Sequence, residues 1–391
     1  MKILHTSDWH LGQSFMGKSR QEEHKVFLEW LLVTIEEENI DVLIVAGDIF
    51  DTGTPPNYAL ELYYNILIKL ANSLCKYIVI TAGNHDSIAT LKAPKELLKS
   101  LNIYVITTGD EEENQLIDIY DKEKLQAIIC AVPFLRDSTI RKSQSAQTLN
   151  DKEKALSLGI KEHYNNIYID AKKISDTVPL IATGHLTTVG AKSSDSEREI
   201  YIGGTLDIDS QFLGENFDYV ALGHLHENQK VGTEHIRYSG SPIPLSFSEA
   251  NSQKKVNIIT LNAKNIDVKE IDIPLHRTLL VFRGDLESIT SELKNITDKE
   301  SWIEIHLKDK NPFDANREIR NLADELGLII LAIKIDKTEQ SLQNNDFNVI
   351  SLEELEPMEL FEKRLDKDGV DDEELREELI EEFRVVLGEV E

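Results

Sequence analysis

Five short hydrophobic runs in this chain end, within a residue or two, in Asp, His or Asn. They give Asp8-Trp9-His10, Gly47-Asp48, Gly83-Asn84-His85-Asp86, Gly184-His185 and Gly223-His224-Leu225-His226. Imidazole nitrogens mixed with carboxylate and amide oxygens suit divalent manganese, iron or zinc better than calcium. Asp8, His10, Asp48, Asn84, His185, His224 and His226 supply seven such groups, too many for one ion. Two ions sharing a bridging carboxylate use them economically, and ions about 3.5 to 4 Å apart can activate water, neutralise a phosphate and hold an in-line displacement. A single histidine is more often a satisfied, half-buried imidazole. Five of them at strand ends beside Asp and Gly are not accounted for in that way. The other six, His5, His24, His163, His235, His276 and His306, have no such setting and read as structural or surface residues.

The elements that must position these groups follow from the same pattern. The runs at 3–5, 42–46, 77–80, 180–182 and 219–222 are short and mostly rich in Val and Ile, as strands buried on both faces should be. Their carboxyl ends are expected to share one edge of a sheet, where open α/β folds bind ligands. Glycine ahead of the ligand in four of the five endings lets the chain turn sharply and brings the side chain close to an ion. Amphipathic helices are expected over 22–39, with Val26, Trp30, Val33 and Ile35, and over 58–74, with Leu60, Tyr63, Tyr64, Leu67 and Leu70. Strands near 237–239, 256–261 and 268–273 complete a mixed two-sheet α/β core.

Composition bounds what such a site can serve. A length of 391 residues with 41% hydrophobic content allows a full core and more than one domain. No apolar stretch approaches the roughly 20 residues needed to cross a bilayer. The amino terminus reaches Asp8 before any signal-peptide core forms, so a cytoplasmic location is expected. Cys75 and Cys130 sit in apolar runs without CxxC spacing and read as buried reduced thiols. The net charge of −28 argues against broad nonspecific attraction to nucleic acid. A local site stays possible, because two divalent ions bring four positive charges against the two of Asp8 and Asp48.

Four regions are expected: a catalytic domain over 1–275, a small α/β domain over 276–336, a linker over 337–350 and an acidic helical segment over 351–391. The second reads βαβαβ, with strands at 278–282, 302–307 and 328–335 and helices at 286–296 and 315–326. The linker is polar, with Gln340, Ser341, Gln343, Asn344 and Asn345. The last segment holds 17 acidic and 5 basic side chains. It suggests helices over 351–365 and 371–387, the latter with Leu375, Leu379, Phe383 and Val386 on one stripe. Such a pair suits docking on a partner with a basic rim.

Asp-x-His, Gly-Asp-x-x-Asp, Gly-Asn-His-Asp, Gly-His and Gly-His-x-His in this order resemble the calcineurin-like metallophosphoesterase superfamily. The stretches Ser7-Asp-Trp-His-Leu-Gly12, Gly47-Asp-Ile-Phe-Asp51, Ser194-Asp-Ser-Glu-Arg198 and Tyr238-Ser-Gly-Ser-Pro-Ile-Pro-Leu-Ser-Phe-Ser-Glu249 are similar to the SbcD family of bacterial exonuclease subunits. That resemblance covers the chain strongly to about residue 270, and beyond it by layout only. It implies an α/β fold, a two-sheet metallophosphoesterase sandwich with a βαβαβ capping domain and a helical tail. It also implies a manganese-dependent nuclease that cuts duplex ends, hairpins or single strands of DNA. Asp8, His10 and His226 would hold one ion, and Asn84, His185 and His224 the other, with Asp48 bridging. His85 would act on the leaving oxygen, the Asp51 carboxylate would orient that ring, and Asp86 would support the loop.

The family partner is an SbcC-type coiled-coil ATPase, with a homodimer of nuclease chains inside a heterotetramer. Leu62, Tyr63, Ile66 and Leu70 give the 58–74 helix more apolar surface than one sheet contact needs, and similar nucleases dimerise through helices at this place in the chain, so the dimer contact is expected there. No Gly-x-x-x-x-Gly-Lys-Ser/Thr loop is present, so ATP should not bind this chain. A phosphomonoesterase or a small-nucleotide phosphodiesterase would share the same metal ligands. The 238–249 segment, the βαβαβ unit and the acidic tail favour the nuclease.

Overall fold

The computed structural model describes residues 1–110, 113–140, 149–194, 196–197, 208–262, 265–309 and 311–335, with Leu365, Arg376, Leu379, Ile380 and Phe383 beyond them. Two compact units are present, Met1–Leu307 with Asn311–Lys334, and Lys308–Lys310 with Ile335–Glu391. The first holds every element described below except Ile335, the end of the last strand. The expected linker at 337–350 and the paired helices at 351–365 and 371–387 lie outside the described residues, isolated positions excepted.

Two six-stranded mixed sheets form the centre. One runs Asn265–Asp272, Lys255–Asn262, Lys2–Thr6, Val42–Ala46, Tyr77–Thr81, Ile103–Ile106; the other runs Gln229–Val231, Thr233–Tyr238, Tyr219–Gly223, Leu180–His185, Lys124–Cys130, Leu116–Asp121. Alternation along each strand divides its side chains between two cores. Ile3, Val42, Ile44 and Val79 meet Ile129, Ile181, Tyr219 and Ala221 of the other sheet. Leu4, Leu43, Val45, Ile78 and Ile80 face helices Gln21–Glu38 and Asn57–Ala71. Cys130, Ala182, Val220 and Leu222 turn outward to Ile160, Tyr164 and Ile167 of helix Leu149–Ile174. The central strands Val42–Ala46 and Tyr219–Gly223 are thus buried on both faces, the physical reason their sequences are continuous apolar runs.

This arrangement corrects three expectations. The five ligand-bearing strands do not share one sheet: those before Asp8, Asp48 and Asn84 lie in the first, and those ending at His185 and His224 in the second. The buried stripe of the first long helix is His24, Phe27, Leu28, Leu31 and Ile35, while Val33 is exposed. In the second helix Tyr63, Ile66 and Leu70 are consumed by this chain's own core, and Leu62 packs against it. The proposed dimer face is therefore largely internal, and Ile68, 59% exposed, is the apolar residue that the helix shows to solvent. Cys75 and Cys130 are buried free thiols.

A three-stranded sheet, Leu279–Gly284, Trp302–Leu307 and Ile329–Ile335 in that order, carries helices Leu286–Lys294 and Pro312–Leu326. This is the βαβαβ order expected. Leu279 and Trp302 of this sheet pack against Phe15 and Phe247, which lie in the short segments Ser14–Phe15 and Phe247–Glu249. The guanidinium of Arg20, wholly buried, lies 5.2 Å from the centres of both the Phe15 and Trp302 rings. Glu23 accepts from Arg20 at 2.9 Å and from Arg277 at 3.1 Å. Glu23→Ala leaves a buried guanidinium without its counter-charge, an expected loss of about 3 kcal/mol. A lower urea midpoint checks it.

Candidate metal centre

The register sets the level at which the chain leaves each sheet. Thr6 pairs with Val45, Val45 with Ile80, and Gly223 with His185, so the loops that follow open onto one crevice. Within those loops Asp8, His10, Asp48 and His224 all have positive φ, at 51, 45, 48 and 98°. For residues with a side chain this conformation costs on the order of 1–3 kcal/mol each and persists where the surroundings impose it. Strain is therefore concentrated on four of the seven expected ligands. Close approach explains the glycines: a Cβ on Gly47, whose φ is 91°, would overlap the His185 ring, and one on Gly83 would overlap the Asp48 carboxylate.

Three clusters result, each with its donor atoms within 4.8 Å of one another: Asp8, His10 and His226; Asp48, His185 and His224; and His10, Asp51 and His85. Asp48 stands between the first two, its Oδ2 lying 3.2 Å from His185 Nε2 and 3.7 Å from His10 Nε2. Asn84 joins the second through Oδ1, 2.9 Å from His185 Nε2. All seven expected ligands are thus brought together. Six are buried, whereas Asn84 and His85 are half-buried at the mouth. Of the six histidines set aside, His5 is structural, bonded to Tyr219 Oη at 3.0 Å and the Leu222 carbonyl at 3.2 Å.

Hydrogen bonds turn the rings. His185 Nδ1 donates to the Ala46 carbonyl at 3.1 Å, which leaves the Nε2 lone pair facing the oxygens of Asn84 and Asp48. His10 Nδ1 donates to Asp51 Oδ1 at 3.2 Å, and its Nε2 is buried without a hydrogen-bond partner. Lone pairs converging in a buried place are costly unless a cation sits among them. The titration of the bare site points the same way. Burial opposes charging His185, but Asp48 and Asp8 outweigh it and push its pKa up to about 9. Burial would raise Asp48, yet His185 and His10 hold it well below the usual carboxylate range. Asp8 is raised, chiefly by burial. The residues present fit two divalent cations.

Around them lies a frame that sequence reasoning assigned no role. His226 Nδ1 donates to Ser196 Oγ at 2.6 Å, and Ser196 Oγ donates in turn to Glu249. Lys254, fully buried, pairs with Glu249 at 2.5 Å and donates to the His226 carbonyl at 3.0 Å. Burial opposes ionisation of Glu249, but His226 and Lys254 outweigh it and hold its carboxyl below the ordinary range. Glu197 accepts from the His226 amide at 2.8 Å. Ser196 and Glu249 fall in stretches that carried the resemblance, but 53 residues apart in loops, where no periodicity could link them.

Asp51 lies beside His85: its main-chain carbonyl accepts from His85 Nδ1 at 2.7 Å, and its carboxylate accepts from His10 Nδ1 at 3.2 Å and clusters with both rings. The Asp86 carboxylate accepts from the amides of Ile49, Phe50 and Gly83 at 3.2, 3.0 and 2.8 Å. Burial and the nearby Asp48 push Asp86 up to about 6.

The family model for calcineurin-like phosphoesterases matches residues 1–228, and one described as the type 5 capsule protein repressor C-terminal domain matches 276–368. The SbcD component of the nuclease SbcCD from Escherichia coli (strain K12) is 40% identical over 384 residues, covering 95% of this chain and 94% of that protein. Its counterpart in Bacillus subtilis (strain 168) is 31% identical over 313 residues, covering 79% of each. The counterpart in Rhodobacter capsulatus is 36% identical over 270 residues, covering 67% of this chain and 66% of that protein.

Proposed function

The chain belongs to the SbcD family of calcineurin-like phosphoesterases, and from that premise we propose that it is a metal-dependent DNA nuclease. It would be the hydrolytic component of a complex with an SbcC-type ATPase. The observation that carries the chemistry is the pair of buried Asp/His clusters, with Asp48 of the second lying 3.7 Å from His10 of the first. Asp8, His10 and His226 would hold one cation and Asn84, His185 and His224 the other, with Asp48 serving both. Manganese suits this mix of imidazole and oxygen donors. Two such ions, when bound, lower the pKa of water and neutralise phosphate charge.

The chain's own residues do the rest. His185 and His10 have their Nδ1 protons committed to Ala46 and Asp51, which fixes Nε2 as the metal-facing donor atom of each ring. His85, its Nδ1 held by the Asp51 carbonyl, turns Nε2 to the departing oxygen. As hydroxide oxygen bonds to phosphorus and the bond to the leaving oxygen breaks, His85, doubly protonated, gives its Nε2 proton to that oxygen and is left neutral.

Residues 276–336 would act as a cap and the acidic 351–391 segment as the docking element for the ATPase. Among the described residues no helix is long and apolar enough to cross a membrane. Digestion of linear duplex, hairpin and single-stranded DNA in manganese, with and without an SbcC-type ATPase, tests the reading. Metal-dependent cleavage is expected and its absence on all three substrates overturns it. The Ser196 relay adds a finer expectation. Ser196→Ala, which leaves the Glu249–Lys254 pair intact, should weaken manganese binding about tenfold or more, read by calorimetric titration. Unchanged affinity would assign the relay to folding alone.

A further inference from the structure

Arg136 stands out among the cations near this centre. It follows strand Lys124–Cys130, whose neighbour in the sheet, Leu180–His185, ends at His185. The segment between is tied across to the first sheet, because the Phe134 amide donates to the Ala82 carbonyl at 2.8 Å. Phe134 meets the His185 ring edge-on at 6.3 Å between centres, and the Arg136 guanidinium lies 5.9 Å from the centre of the Phe134 ring. Its Nη2 donates to the carbonyl of Asp86, the residue after His85, at 3.1 Å. The side chain is thus held from two sides at the mouth of the crevice.

What it lacks is an acidic partner. Arg20 and Lys254, the buried cations closest in role, are neutralised by Glu23 and Glu249 at 2.9 and 2.5 Å. Among the described residues Arg136 has no carboxylate within ion-pairing distance, and its remaining N–H groups have no protein acceptor. In a protein of net charge −28 a half-buried guanidinium left without a counter-ion is unusual. Its planar fork matches the paired oxygens of a phosphate.

We propose that Arg136 grips a backbone phosphate of the DNA strand beside the one being cut, positioning that strand over the centre. This rests on the nuclease reading and adds a residue that contacts substrate. The test uses the full chain with manganese and a single-stranded oligonucleotide, comparing wild type, Arg136→Lys and Arg136→Ala over a range of salt. Arg136→Ala should raise KM about tenfold, as loss of a charge-assisted hydrogen bond does. It should also reduce the slope of log(1/KM) against log salt by about 0.7, the contribution of one phosphate contact on a single strand. Arg136→Lys should restore most of the slope, and metal content should stay at the wild-type level. A wild-type slope in Arg136→Ala with reduced kcat would overturn the proposal, since Arg136 would then only brace the Asp86 loop. So would loss of metal. Wild-type protein that hydrolyses bis(p-nitrophenyl) phosphate but no oligonucleotide would instead overturn the nuclease reading, and this contact with it.

Discussion

Asp48→Ala should empty both halves of the centre and abolish nearly all hydrolysis. The carboxylate stands between the two clusters, 3.2 Å from His185 Nε2 and 3.7 Å from His10 Nε2. Its other oxygen accepts from the His85 amide at 2.9 Å, so the substitution also frees the loop bearing that ring. Two bound ions contribute several kcal/mol of charge stabilisation in the transition state, and their loss corresponds to about three orders of magnitude in rate or more. Elemental analysis should show fewer than one ion per chain where the wild type holds two. Because Asp48 is also the counter-charge of His185, circular dichroism must accompany the assay to separate an emptied site from an unfolded one. A folded Asp48→Ala protein with full activity, or wild-type activity undiminished by chelator, would end the two-ion account.

How much of this was legible in the sequence depended on whether the signal was local. The seven candidate ligands could be picked out because each lies at a strand's end or within four residues beyond it and because Asp, His and Asn have few other reasons to recur there. The βαβαβ unit was legible for the same reason, since its helices and strands each carry their own period. Partition of the strands between two sheets was not, because Val42–Ala46 and Tyr219–Gly223 are equally apolar and both are buried on two faces. The apolar residues of helix Asn57–Ala71 looked like surplus surface, whereas the core between helix and sheet absorbs Tyr63, Ile66 and Leu70. The bond from His85 Nδ1 to the Asp51 carbonyl was not foreseen, because no residue pattern reveals when a backbone carbonyl holds a ring. The Ser196–Glu249 relay and the Arg136 anchor join loops far apart in the chain, so only the folded form brings them together.

His85→Ala should separate chemistry from metal binding. His85 sits at the mouth of the crevice, half-buried, while Asp8, His10, Asp48, His185, His224 and His226 are buried. Its ring packs edge-on against His10 at 4.9 Å between centres, which brings it beside the first cluster without displacing any member of it. The clusters Asp8, His10, His226 and Asp48, His185, His224, with Asn84 beside the latter, offer donor atoms for both ions without His85. Its Nδ1 is already committed to the Asp51 carbonyl at 2.7 Å, a bond that holds the ring at a fixed angle and makes Nε2 the atom that serves the substrate. Removing a positioned proton donor of this kind lowers turnover by roughly 10²–10⁴-fold. The metal content of His85→Ala should remain near two ions per chain, and KM should change far less than kcat. A substrate whose leaving group needs no proton, such as a p-nitrophenyl ester, should lose much less activity than DNA does. Should elemental analysis find one ion missing, His85 would be a ligand and the third cluster, His10 with Asp51 and His85, would be part of a metal site. Equal losses on both substrates with both ions in place would move its role from proton donation to stabilising charge on the phosphate itself.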